Sequence, residues 1–176
     1  MWGRLSILFY CILHLSSSNA QNPNIEKSGD VLEIVLPVTA FASTFIWKDQ
    51  QKSHMQFIKT MGTSFVITHV IKRLINKQRP NGGNYSFPSG HTSAAFTGAA
   101  FIEKRYGLKV GIPTYLLASY VGWTRVESNY HDNWDILGGA IIGIGSAYLF
   151  TKPFKNTDLG VSYLNKNPTL CVSIHL

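Results

Sequence analysis

Cysteine is nearly absent. Only Cys11 and Cys171 occur, too few to frame a fold with disulfides. Charge is also scarce, at 14% of residues, where about 25% is usual for a soluble domain. Acidic residues are the rarer kind, 9 against 16 basic ones, for a net charge of +7. That balance suits an anionic substrate or an anionic membrane surface. It does not point to nucleic acid, because no dense basic run with interleaved aromatics is present. No internal repeat, low-complexity tract or flexible linker divides the 176 residues, which suffice for one substantial core. Mean hydropathy is +0.04, so a membrane assignment has to come from segments and not from composition.

The N-terminus has the pattern of a signal peptide, assigned to residues 1–20. Arg4 supplies the positive flank, Leu5–Leu15 the apolar region, and "SSSNA" ends on a small residue at Ala20. An uncleaved anchor is the alternative, though the apolar run is short for a full span. Removal of this segment would leave Cys171 alone, which excludes an internal disulfide. Five helical stretches are expected next, at Val31–Trp47, Phe57–Ile75, Ser93–Tyr106, Val110–Trp123 and Ile136–Phe150. They hold 14–19 residues, at or just below the ~17–25 needed to cross a bilayer. Buried helices of a soluble bundle therefore compete with membrane spans.

Charge placement favours the spans. With the mature N-terminus outside, "KDQQKSH", "EKRYGLK" and "TKPFK" all fall on the cytoplasmic side, as the positive-inside bias requires. The opposite side then carries Arg79–His91 and Arg125–Asp135, the stretches richest in reactive groups. After Phe154 the alternation around "NKNP" predicts a short hairpin. The division expected is a helical domain over 21–155 and a C-terminal tail over 156–176. The fold class is all-α, a membrane-embedded bundle of about five helices, with that short C-terminal β-hairpin.

Three groups of residues carry chemistry. In "KRLINKQRP", Lys72 and Arg79 stand seven residues apart, two turns on a helix, so both would face one point and Pro80 would end the helix. Two cations in that position suit a phosphate, although a solvated basic helix end has the same pattern. In "FPSGH", Ser89 is a candidate N-cap, and the helix start presents N–H groups and a positive dipole end to an anion. Gly90 permits close backbone approach and His91 exchanges protons near neutral pH. An ordinary capped helix is the plainer alternative. In "TRVESNYHDNWD", Arg125 offers another oxyanion clamp, while His131 and Asp135 are four residues apart. The carboxylate can then fix one imidazole nitrogen and leave the other free for nucleophilic attack. A surface i,i+4 pair would look the same in isolation.

In combination, Lys-x6-Arg-Pro, Pro-Ser-Gly-His and Arg-x5-His-x3-Asp resemble the tripartite signature of the type 2 phosphatidic acid phosphatase superfamily. The likeness spans Lys72 to Gly139, and "RPNGGNYSFPSGH" is similar to the bacterial lipid phosphatases, lipid A phosphatases among them. The resemblance implies a helical bundle and a phosphohistidine intermediate, with no metal and no cofactor. It implies that Lys72, Arg79, Ser89, Gly90 and Arg125 bind the phosphoryl oxygens. It makes His131 the nucleophile, Asp135 its orienting partner, and His91 the acid for the leaving group. Thr124 stands where the family commonly has Ser, and keeps the hydroxyl. The expected enzyme is a phosphatase acting on a lipid phosphate monoester or diphosphate, in the inner membrane, with its site facing the periplasm. Its partners are the lipid and the membrane, not nucleic acid. A soluble periplasmic acid phosphatase, a vanadium haloperoxidase and a non-catalytic anion-binding membrane protein are the competing readings.

Overall fold

The computed structural model describes residues 23–46, 52–154, 157–164 and 167–174. The expected signal segment 1–20, and Lys48 and Lys155 among the cations expected on the cytoplasmic side, lie outside the described residues. Five helices follow in order: α1 (Pro23–Ile46), α2 (Ser53–Ile75), α3 (Gly90–Tyr106), α4 (Leu108–Glu127) and α5 (Asn133–Phe150). They hold 24, 23, 17, 20 and 18 residues, more than the apolar runs suggest, and within the ~17–25 of a spanning helix. The additions are polar. α1 starts at Pro23 and not at Val31, because "PNIEKSGD" is helical: proline is at home in a first helical turn, and Glu26 complements the dipole there. By length and apolar composition, α1 alone among the described residues is a candidate span.

α3 is the hub, packed by α1, α2, α4 and α5. Its sequence explains this position. Ala95, Thr97, Gly98, Ala99 and Ala100 are buried, and such small side chains let four neighbours approach at once. α5 comes closest. A Cβ on Gly139 would lie 2.6 Å from the Ser89 carbonyl oxygen, and one on Gly143 2.6 Å from that of Ser93. Hydroxyls satisfy one another within this core: Ser93 Oγ lies 2.8 Å from both Ser64 Oγ and Thr68 Oγ1, and Thr97 Oγ1 donates to Ser64 Oγ at 2.8 Å. Two small apolar clusters complete it, one around Leu36, Ala95, Ala99, Ala118 and Val121, the other around Ala40, Phe57, Phe101 and Ile102.

The large apolar side chains point outward. Leu74, Leu116, Ile141 and Leu149 are each 62–78% exposed, as are many others on α1, α2, α4 and α5. Only α3 presents none of them. Beyond the bundle, β1 (Thr157–Leu164) and β2 (Asn167–Ile174) form the antiparallel hairpin expected from the alternation, with Leu164 opposite Asn167. One cation departs from expectation. Arg105, read as part of a solvated basic connection, is buried at the end of α3, its guanidinium against the rings of Tyr106 and Phe154.

Candidate active site

Alternating helix direction brings every motif to one end of the bundle. α1, α3 and α5 begin there, while α2 and α4 end there. A cavity of about 710 Å³ opens at this end, lined by Lys72 and Arg79, by Gly90 and His91, and by Arg125, Tyr130 and His131. α1 contributes Glu26, Asp30 and Glu33, and α2 an apolar edge of Met61 and Phe65. Six of the eight anticipated residues thus line one cavity. The other two, Ser89 and Asp135, are fully buried behind it.

The first motif is built differently from its spacing. α2 ends at Ile75, where Asn76 adopts a left-handed conformation (φ 43°, ψ 45°) and its N–H caps the Lys72 carbonyl. Arg79 therefore lies in the following loop and does not share a helical face with Lys72. The two cations still reach the same cavity, because the loop folds back: Arg79 N donates to Gly83 O at 2.7 Å, and Asn81 N to Asn129 O at 3.1 Å. Lys72 Nζ donates to Tyr85 O at 2.8 Å. The Arg79 guanidinium sits 5.6 Å from the Tyr130 ring centroid, with its buried Nε unbonded among the described residues.

Ser89 is the N-cap of α3, accepting from Thr92 N at 3.4 Å and from Thr92 Oγ1 at 3.0 Å. Its own N–H donates to Asp135 O at 2.9 Å, which ties the second motif to the third. His91, one residue into the helix, places Nε2 2.9 Å from Glu33 Oε2 and 3.2 Å from Asp30 Oδ1. These three side chains bring ligand-type atoms within 4.8 Å of one another. Arg125 Nη1 donates to the same Asp30 oxygen at 2.7 Å, so this carboxylate is shared between His91 and a guanidinium. The cavity mixes carboxylates with its cations and is not uniformly positive.

His131 is 3% exposed, and its Nδ1 lies 3.4 Å from Asp135 Oδ2. It precedes α5; the helix begins after the N-cap Asp132, whose carboxylate accepts from Trp134 N and Asp135 N while Asp135 returns the bond. This capping box fixes the Asp135 side chain. Sequence reasoning missed the rest of its support. Lys77 Nζ reaches Asp135 Oδ1 at 2.8 Å and Asp132 Oδ2 at 2.5 Å, and Ser86 Oγ donates to Asp135 Oδ2. Lys77 lies between the marked positions of its motif and gave no signal of its own. Glu26, Asp30 and Glu33 did, recurring at helical spacing (i, i+4, i+7), although the first two precede the helix start expected at Val31.

The electrostatics suit a neutral nucleophile. Burial pushes the His131 imidazole down to about 4, assisted by the charges of Lys72 and Arg79 and opposed by Asp135. Lys77 moves the other way: burial alone would lower it, but its hydrogen bonds to Asp132 and Asp135 prevail and raise it. The Thr124 hydroxyl accepts from Arg125 Nε at 3.2 Å.

The helical hub brings two histidines and three cations to one cavity, with a buried aspartate behind it, an arrangement able to hold a phosphoryl group. Residues 81–158 match the model of the PAP2 superfamily. It is similar to a lipid A 4′-phosphatase of Helicobacter pylori, 29% identical over 74% of this chain and 71% of that protein. A lipid A 1-phosphatase of the same species is 31% identical over 51% of this chain and 52% of that protein. Among solved structures, Aquifex aeolicus LpxE aligns with a TM-score of 0.63 at 23% identity, over 74% of this chain and 87% of that one. A transmembrane PAP2-type phosphatidylglycerolphosphate phosphatase of Bacillus subtilis aligns at 0.53 and 23%, over 85% and 94%. The helical fold expected from the sequence is thereby shown, and the relatives it resembles are named phosphatases, as expected.

Proposed function

We propose that this phosphatase hydrolyses a lipid phosphate monoester or diphosphate through a phosphohistidine on His131. The carrying observation is that a buried carboxylate faces His131 Nδ1 in a cavity whose walls bear Lys72, Arg79 and Arg125. With Nδ1 engaged by Asp135, Nε2 attacks phosphorus in line. The bond from phosphorus to the ester oxygen breaks, and His91 gives that oxygen a proton. The three cations, with Ser89 and Gly90 at the α3 N-terminus, hold the charge that spreads over the equatorial oxygens. Water then attacks phosphorus and passes a proton to His91, and the nitrogen–phosphorus bond breaks to release orthophosphate.

The lipid A phosphatases among the relatives make lipid A the first substrate to test. The outward apolar side chains support embedding in a bilayer. Lys104 and Lys109 lie at the far end of the bundle from the cavity, which supports a cytoplasmic far end and a periplasmic site. The test is phosphate release in detergent from lipid A, phosphatidic acid, phosphatidylglycerophosphate and polyprenyl diphosphate. His131→Ala is expected to abolish turnover, and an acid-labile, alkali-stable phosphoenzyme should form on the unmodified chain but not on the variant. Substantial activity in His131→Ala would refute the scheme.

A further inference from the structure

α1 lies outside the matched segment 81–158, yet a single stretch of it is joined to the site by several contacts. Arg125 is 2% exposed, and a buried guanidinium needs a counter-charge and fixed acceptors. α1 supplies both. Arg125 Nη1 donates to Asp30 Oδ1 at 2.7 Å and Nη2 to Glu26 O at 2.7 Å. Tyr130 OH, from the loop beside His131, donates to Glu26 Oε1 at 3.1 Å. The approach is so close that a Cβ on Gly29 would lie 2.1 Å from Thr124 Oγ1 and 2.5 Å from Arg125 Nη2. The same Asp30 oxygen that holds Arg125 lies 3.2 Å from His91 Nε2, and Glu33 Oε2 lies 2.9 Å from it.

From this geometry we infer that Asp30 is a positioning residue of the phosphatase. One carboxylate oxygen sets the oxyanion clamp, Arg125, and the proton donor, His91, at a fixed separation. Glu33 shares the second half of that task. The arrangement mirrors the pairing of Asp135 with His131: a carboxylate on one ring nitrogen fixes the imidazole and leaves the other, Nδ1 of His91, to serve the departing oxygen. α1 is then part of the catalytic apparatus as well as a helix in the bilayer. The inference rests on the role proposed for His91.

Leaving-group dependence tests it. An alkyl phosphate needs a proton on its departing oxygen, whereas an aryl phosphate with an acidic phenol leaves without one. In the full chain in detergent, Asp30→Asn should lower the alkyl-to-aryl ratio of kcat by about ten-fold or more. A smaller change in that ratio, even with both rates reduced, overturns the inference, since a merely structural defect would slow both esters alike. Glu33→Gln removes a bond to His91 and leaves the Asp30–Arg125 pair in place; it carries the same test if Asp30→Asn does not fold. His91→Ala, run beside them, separates the two failures. If that variant lowers the alkyl-to-aryl ratio while the ratio stays unmoved in the others, only the positioning role is lost; if it too leaves the ratio unmoved, the role proposed for His91 fails with it.

Discussion

Asp135 makes more of its contacts with the fold than with the histidine it serves. Its carboxylate holds Lys77, Ser86, the Asp132 N–H and His131. The His131 contact is the longest of these, at 3.4 Å, so Lys77 competes for the negative charge that would steady an imidazolium. In the proposed mechanism the acid limb of kcat/KM reports His131, and it should fall near pH 4 instead of near the ordinary 6.5. Lys77→Met should move that limb upward by about one pH unit, because Asp135 then acts on His131 without a competing cation. A pH–rate profile of both proteins checks this. The linked effect on stability has a definite sign. Between pH 6.5 and about 4 the unfolded chain binds a proton that the folded chain refuses, so stability falls as pH is lowered through that window. The loss is on the order of 3 kcal/mol, complete below the folded value.

Among the helices, closeness to α3 decides what each position tolerates. Gly143→Leu would drive a side chain into the Ser93 carbonyl and the Thr97 N–H, 2.6 and 2.8 Å from an added Cβ. Backbone cannot yield as a flexible side chain does, so a loss of about 1–3 kcal/mol and a lowered melting temperature in detergent are expected. Gly145, with nothing within 4 Å of its added Cβ, is the internal control: Gly145→Ala should leave the melting temperature unchanged or slightly raised. The helices themselves were legible from apolar runs, because side chains facing lipid and side chains facing a core are alike to a hydropathy scale. What could not be read from those runs was the polar start of α1, since carboxylates that face a cavity look like carboxylates that face water. The end of α2 was equally hidden. The Lys72–Arg79 interval fits two helical turns, and only the backbone of Asn76 shows that the turns stop short. Lys72 and Arg79 still line one cavity despite this, because the loop after α2 folds back.

Considered whole, the molecule has many polar groups inside and at one end, and most of its large apolar groups outside. That distribution is inverted relative to a water-soluble bundle and is the one a bilayer would favour. The protein should remain with membranes after extraction in high salt or at high pH without detergent, and should enter solution only with detergent. Recovery of active enzyme in the detergent-free soluble fraction would instead favour the soluble periplasmic reading. The C-terminal hairpin, expected from its alternation and present in the structure, has no part in the proposed chemistry.

The hydroxyl network of α3 also bears on how the chain is assembled. Alone in hydrocarbon, Ser93 and Thr97 would be awkward guests, since the partners that satisfy Ser93, Ser64 and Thr68, belong to α2. In a bilayer α3 would therefore have its hydroxyls satisfied only beside α2. The helix that carries His91 depends for that shelter on the segment just before it in the chain.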